Sequence, residues 1–193
     1  MAGFRASPEA VADWQAILFK HNRMYGHGIM HINFTTYYVH HDDNVIHSGT
    51  HAQSNVMVLN PHYSDPLHSG TDKHHPFWYA HILGVYHANM IYIGEGNTDY
   101  SSCRLDFLWV CWYELTDDNV GWGSRRLDTI LFPLMSCEDS FGFLNPDDVI
   151  RASHIIPCMK EGFVRRDQTG LSRCTQDHAD RKLYYINWWL LFF

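Results

Sequence analysis

Eight short runs rich in β-branched and aromatic residues, each closed by turn-forming residues, constrain the fold of this chain more than any other feature. In Ile29–Val39 the set Met30, Ile32, Phe34 and Tyr38 alternates with His31, Asn33, Thr35 and Tyr37. A period of two places one set on each face of a strand. Comparable runs follow at Asn55–Leu59, Phe77–Tyr86, Asn89–Ile93, Leu105–Leu115, Leu127–Phe132, Val149–Ile156 and Leu183–Trp189. Between them stand Asn60-Pro61, Ser69-Gly70, Gly94-Glu95-Gly96-Asn97, Asp117-Asp118-Asn119 and Asn145-Pro146-Asp147-Asp148, whose side chains and backbone freedom favour turns. Strands that do not alternate with helices predict an antiparallel barrel or sandwich rather than an α/β fold.

One helix is expected, at the start. Ser7-Pro8-Glu9 has the form of a helix start: a hydroxyl cap, proline at the first helical position, then an acid near the positive end of the dipole. Val11, Trp14, Ile17 and Leu18 then make one apolar stripe in a helix predicted from Pro8 to Arg23, ended by Gly26 and Gly28. The expected organisation is therefore a helical segment over residues 1–25 packed on a single β-domain over 26–193. A long polar surface loop is expected at about 160–182, before the last strand.

Length and charge exclude several functions. A chain of 193 residues is one domain with room for a core. Its formal net charge of −7 does not advertise a general affinity for phosphate backbones. Fifteen histidines, thirteen of them before residue 88, make the charge pH-dependent, and solubility is expected to be lowest near the pI of 6.1. Five widely spaced cysteines without a C-x-x-C pair argue against a zinc ribbon or a disulfide framework. No apolar run approaches the roughly 20 residues that span a bilayer, and MAGFRASPEA lacks the apolar stretch of a signal peptide. The expectation is an intracellular protein with reduced thiols and no membrane contact.

Three constellations carry possible chemistry. His40, His41, Asp42 and Asp43, with His74 or His75, are ligand types for zinc or manganese, and a metal-dependent hydrolase or nuclease is one reading of them. The spacing matches neither the helical His-Glu-x-x-His motif nor the deaminase pattern, so polar loop histidines are the simpler account and no cofactor is expected. The cysteines lie in apolar contexts such as Trp109-Val110-Cys111-Trp112 and offer no nucleophile motif. The aromatic residues are more telling. Trp78 and Tyr79, with Trp109, Trp112 and Tyr113, sit on two neighbouring strand candidates. In the second, Leu105, Phe107, Trp109, Cys111 and Tyr113 face one way and Leu108, Val110 and Trp112 the other. Either both sides of this strand are covered, or some rings form an exposed groove that binds a partner by stacking or cation–π attraction. Arg125, Arg126, Arg165 and Arg166 are the candidates for direct DNA contact, which the net charge disfavours.

Five blocks in order also resemble a known family. They are Asn33–Val39, His75–His87, Arg104–Glu114, Phe141–Pro157 and Tyr184–Asn187, and together they are similar to the C-terminal region of Plavaka-type proteins, CACTA-related DNA transposon proteins of mushroom-forming fungi. An aromatic strand ending in Ile82-Leu83-Gly84-Val85-Tyr86, a second ending in Trp112-Tyr113-Glu114, then Asp148-Val149-Ile150 and Tyr184-Tyr185-Ile186 also resemble, by strand pattern, a bromo-adjacent homology (BAH) domain. The resemblance implies a small BAH-like barrel, a nuclear location and a chromatin or protein partner. It also implies no catalysis, because the carboxylate core of that family lies upstream of this region. The chain departs from the family at Tyr37-Tyr38-Val39-His40-His41, where arginines are usual at the last two places, which removes a basic contact or makes it pH-dependent. Cys111 also replaces a common arginine. The tail Trp188–Phe193 differs too, as expected of a truncated or domesticated element.

Overall fold

The computed structural model describes residues 16–35, 41–48, 54–61, 63, 75–94, 99–116, 127–134, 136–164 and 181–187. Twelve strands order this part of the chain: β1 (Ile17–His27), β2 (Ile29–Thr35), β3 (His41–His47), β4 (Asn55–Leu59), β5 (Phe77–Tyr92), β6 (Cys103–Trp112), β7 (Glu114–Leu115), β8 (Thr129–Leu131), β9 (Phe141–Leu144), β10 (Val149–Ala152), β11 (Ile155–Pro157) and β12 (Tyr184–Ile186). All ladders are antiparallel. The main sheet runs β10-β4-β5-β6-β9, with β1 continuing the β4 edge along the far half of β5. A second sheet has the order β11-β12-β8-β7, and β2 and β3 form a separate hairpin.

Alternation along the central strands builds two cores, one on each side of the main sheet. Val56 and Val58 of β4, Ala80 and Ile82 of β5 and Leu108 and Val110 of β6 point to one side, where Ile32 and Ile46 of the hairpin cover them. Asn44 Oδ1, accepting from the Ala152 amide at 3.0 Å, ties the hairpin to β10. Met57, Tyr79 and Tyr113 point to the other side and pack on Ile130, Ile155, Tyr184 and Ile186 of the second sheet. The main sheet is thus the middle of three layers over this half of its length. Each fully buried Ile or Leu contributes about 1.5–3 kcal/mol relative to exposure.

The mainly β, antiparallel class is as expected, but two finer expectations are corrected. The helix predicted over Pro8–Arg23 does not extend through Ile17–Arg23, which belong to β1; residues 1–15 lie outside the described residues. Pairing with β5, Ile17 opposite Tyr92 and Leu18 opposite Ile91, satisfies the backbone there. An available sheet edge overrides a 3.6-residue stripe that covers only two of its residues. A bulge between Phe19 and Met24 carries His21 and Asn22 at φ 60° and 50°, a local reversal that resets the register. The second correction is that the described strands form open sheets and not a closed BAH-like barrel. Val149–Ile156 explains why: the run breaks at Ser153-His154, so that β10 joins the main sheet and β11 the second one.

Other boundaries shift in informative ways. Phe77–Tyr86 and Asn89–Ile93 are one strand, β5, long enough to serve both halves of the sheet. The Asn145–Asp148 turn is present as a single 3-10 turn, with Asn145 Oδ1 accepting from the Asp147 amide at 3.1 Å. The ends of the polar loop meet in a bridge between Phe163 and Arg181, whose guanidinium lies 3.8 Å over the Phe163 ring; residues 165–180 lie outside the described residues.

Candidate functional site

Both faces of the main sheet are covered at the β4 end, whereas among the described residues the second sheet does not reach the β1 end. Where it is covered, the side chains facing the second sheet include a buried polar cluster. Asn55 Oδ1 accepts from Tyr113 OH at 3.0 Å and from His81 Nδ1 at 2.8 Å, with His81 fully buried. Phe132 stacks on Tyr113 with ring centroids 4.4 Å apart and meets His81 edge-on at 6.1 Å. Alongside, His75 Nε2 lies 3.4 Å from Asp128 Oδ2, and Asn60 Nδ2 donates to His75 O at 2.9 Å. Burial, and then the Asp128 charge, push the Tyr79 phenol well above its usual range, so it is neutral at every physiological pH. This cluster has the character of a core network that fixes the pairing of two sheets.

Beyond Gly84 the second sheet no longer packs on this side of the main sheet among the described residues, and the rings of Tyr86, Phe107 and Trp109 are half-buried there. A register shift between Ile82 and Gly84 turns Tyr86 onto this side. Its ring lies flat across the strand: a Cβ at Gly84 would fall within the Tyr86 ring, and one at Gly26, the cross-strand partner, would touch it at 3.5 Å. The ring therefore occupies space that only glycine leaves free. Tyr86 stacks on Phe107 at 5.7 Å, and Phe107 meets Phe143 edge-on at 5.7 Å. Trp109 packs beside Phe141 at 6.2 Å. Met24, Leu105 and Phe143 border these rings and are 59%, 43% and 74% exposed. The bordering strands β1 and β9 each pair on one side only among the described strands.

The residues singled out from sequence are divided by this arrangement. Tyr79 and Tyr113 are buried in the core facing the second sheet. Trp78 and Trp112 meet edge-on at 5.9 Å on the hairpin side and pack against that core. They therefore form no common groove with the tyrosines; the strand is central and covered on both sides there. Trp109 alone of the five borders the bare aromatic face. Tyr86, Phe107 and Phe143, the centre of that face, were missed as site residues, although the alternation correctly put Phe107 and Leu105 on the Trp109 side. The signal available was Gly84-Val85-Tyr86, a glycine two residues from an aromatic on one strand face.

The metal constellation is not assembled among the described residues, where no group of three or more His, Cys, Asp or Glu is placed to hold an ion. Asp43 is on the hairpin surface, 2.9 Å from His31 Nδ1, while His75 is buried against Asp128 in a different layer. His41 and Asp42 fall in β3, and His40 and His74 lie outside the described residues, as do Arg125, Arg126, Arg165 and Arg166. Cys103, Cys111, Cys137 and Cys158 form no disulfide among the described residues. Among the described residues no helix is long and apolar enough to cross a membrane. Compared with protein-family models, with curated proteins and with solved structures, the chain matches none.

Proposed function

We propose that this chain is a non-catalytic protein-binding module that docks an extended polypeptide with apolar side chains on the bare aromatic face. One observation carries the reading: Met24, Leu105 and Phe143 stand exposed around the Tyr86–Phe107 stack, on the side of the sheet that is sealed elsewhere by the second sheet. Contiguous exposed apolar surface of this kind marks interaction sites. The edge strands β1 and β9 offer backbone groups on either flank, which suits a partner in extended conformation. The five-block resemblance to the accessory region of CACTA-related transposon proteins adds the context of the proposal, a nuclear module with a chromatin protein as partner. A BAH-like relationship remains part of that context. The metal-dependent hydrolase and the direct DNA-binding module are the competing readings.

Selection of peptides from a displayed random library, together with an array of histone-tail peptides, tests this. Enriched sequences are expected to be apolar, to shift the amide resonances of Leu105, Phe107 and Phe143, and to lose binding in the double variant Leu105→Asp, Phe143→Asp with its thermal transition unchanged. Enriched peptides that bind the double variant equally well would refute the assignment of the face. Enrichment of histone-tail sequences supports the chromatin context, and their absence among binders removes it.

A further inference from the structure

On the hairpin side of the main sheet, just past the point where Val85 closes the core, two histidines join β1 to β5. His27 Nε2 lies 2.6 Å from His87 Nδ1, with ring planes within 24° of each other and centroids 4.8 Å apart, the near-coplanar arrangement of an N–H···N bond. Tyr25 stacks on His87, also at 4.8 Å. A bond between two imidazole nitrogens needs one proton and one lone pair. It forms when the pair is neutral or carries a single added proton, and is impossible once both rings are imidazolium.

We propose that His27 and His87 are a proton-sensitive clasp that holds the edge strand β1 on β5 near neutral pH and releases it when both rings are protonated. The surroundings favour release. On β6, Asp106 is the cross-strand neighbour of His87, but its carboxylate is already engaged by Arg104, 2.6 Å from Arg104 Nη2. The charge of this anion is thus partly offset, and Arg104 adds a cation beside the pair. On β1 itself the bulge carries Lys20, His21 and Arg23, three further basic groups. The hairpin contributes Ser48, whose Oγ donates to His27 O at 3.3 Å, and His47 opposite Ile29. Burial, then Arg104, then His27 lower the proton affinity of His87, with Asp106 acting in the opposite sense. A histidine that binds its proton less readily when folded stabilises the folded arrangement above the ordinary imidazole value, and that contribution is lost as pH falls below it.

The consequence is local. β1 pairs with β5 alone among the described strands, so opening it leaves the two cores intact while it removes Met24 from the border of the aromatic face. The clasp does not depend on any ligand for that face. Hydrogen exchange of the full chain, corrected for intrinsic rates and compared at about pH 7.5 and about pH 5.5, reads it directly. Protection of the amides of Met24–His27 is expected to fall at least about tenfold on acidification, while that of β4 stays unchanged. The variant His27→Gln, His87→Phe is expected to show the same protection of β1 at both pH values. Unchanged protection of wild-type β1, or an equal acid loss in the variant, overturns the clasp. Since the substitutions themselves can loosen β1, the ring resonances of the wild-type histidines supply a second readout. Across a 2.6 Å contact the two rings should titrate in two separated steps rather than independently. Two independent protonations at the ordinary imidazole value refute it.

Discussion

The two halves of β5 show how one strand serves two purposes. From Phe77 to Ile82 it pairs with β4 and β6, is covered by a hairpin on one face and a sheet on the other, and contributes Tyr79, Ala80, His81 and Ile82, all 0–1% exposed. From Gly84 to Tyr92 it pairs with β1 and β6, and among the described residues the face that continues from Tyr79 and His81 meets no second sheet. The sequence character of the halves is similar, aromatic and apolar in both. Placement of the neighbouring layers, rather than hydrophobicity, buries the first half fully and leaves the second half-buried. The comparison also separates two uses of tyrosine. Tyr113 ends in a buried hydrogen bond to Asn55 that ties the end of β6 to β4, whereas Tyr86 lies over Gly84 and stacks on Phe107, half-buried.

Substitutions sharpen this contrast, and the largest effects belong to the covered half. Ile82→Ala is expected to cost about 2–5 kcal/mol in urea denaturation, the usual range for a fully buried aliphatic side chain. An effect near zero would mean that the hairpin does not seal that side. Asn55→Ala should cost about 1–3 kcal/mol, because it leaves the buried His81 and Tyr113 donors without the oxygen they share.

At the junction of the halves the expected behaviour is coupling. Gly84→Ala forces the Tyr86 ring off the sheet and should cost about 1–3 kcal/mol alone, yet much less in a Tyr86→Ala background. Additive costs would show that the ring does not rest there. In the bare half, Phe143→Asp should change stability by no more than about 0.5 kcal/mol while abolishing peptide binding. The smallest effect is that of Arg104→Ala. The Arg104 hydrogen bond lowers the Asp106 carboxyl from its ordinary 3.8, so the pair stabilises above that value and ceases to do so as pH falls through the lowered one. Both groups are exposed, so the difference between variant and wild type should shrink further in high salt.

The core was largely legible in the sequence. The alternation assigned Leu108, Val110 and Trp112 to one side of β6 and Phe107, Trp109 and Tyr113 to the other, and the structure keeps that division. β4 has the bounds expected from its run of Asn55–Leu59. The candidate site was less legible, since Trp78, Tyr79, Trp112 and Tyr113 were chosen for being aromatic and all four lie in the cores or pack against them. The composition of β3 hides it, because His41-Asp42-Asp43-Asn44 reads as loop or ligand set; its pairing with β2 supplies what its composition does not.

What the sequence by itself determined is the local part: period-two alternation, turns at Asn145–Asp148 and elsewhere, and hence an antiparallel β fold in which each strand has a defined pair of faces. Those properties follow from the geometry of a single strand, which any short window contains. Only the tertiary structure decided that Ile17–Arg23 pair as strand, that Val149–Ile156 divide between two sheets, and that among the described residues the second sheet does not cover the side of β5 and β6 beyond Gly84. Each of these depends on which distant segment supplies hydrogen bonds or covers an apolar face, and such competition is settled between residues tens of positions apart.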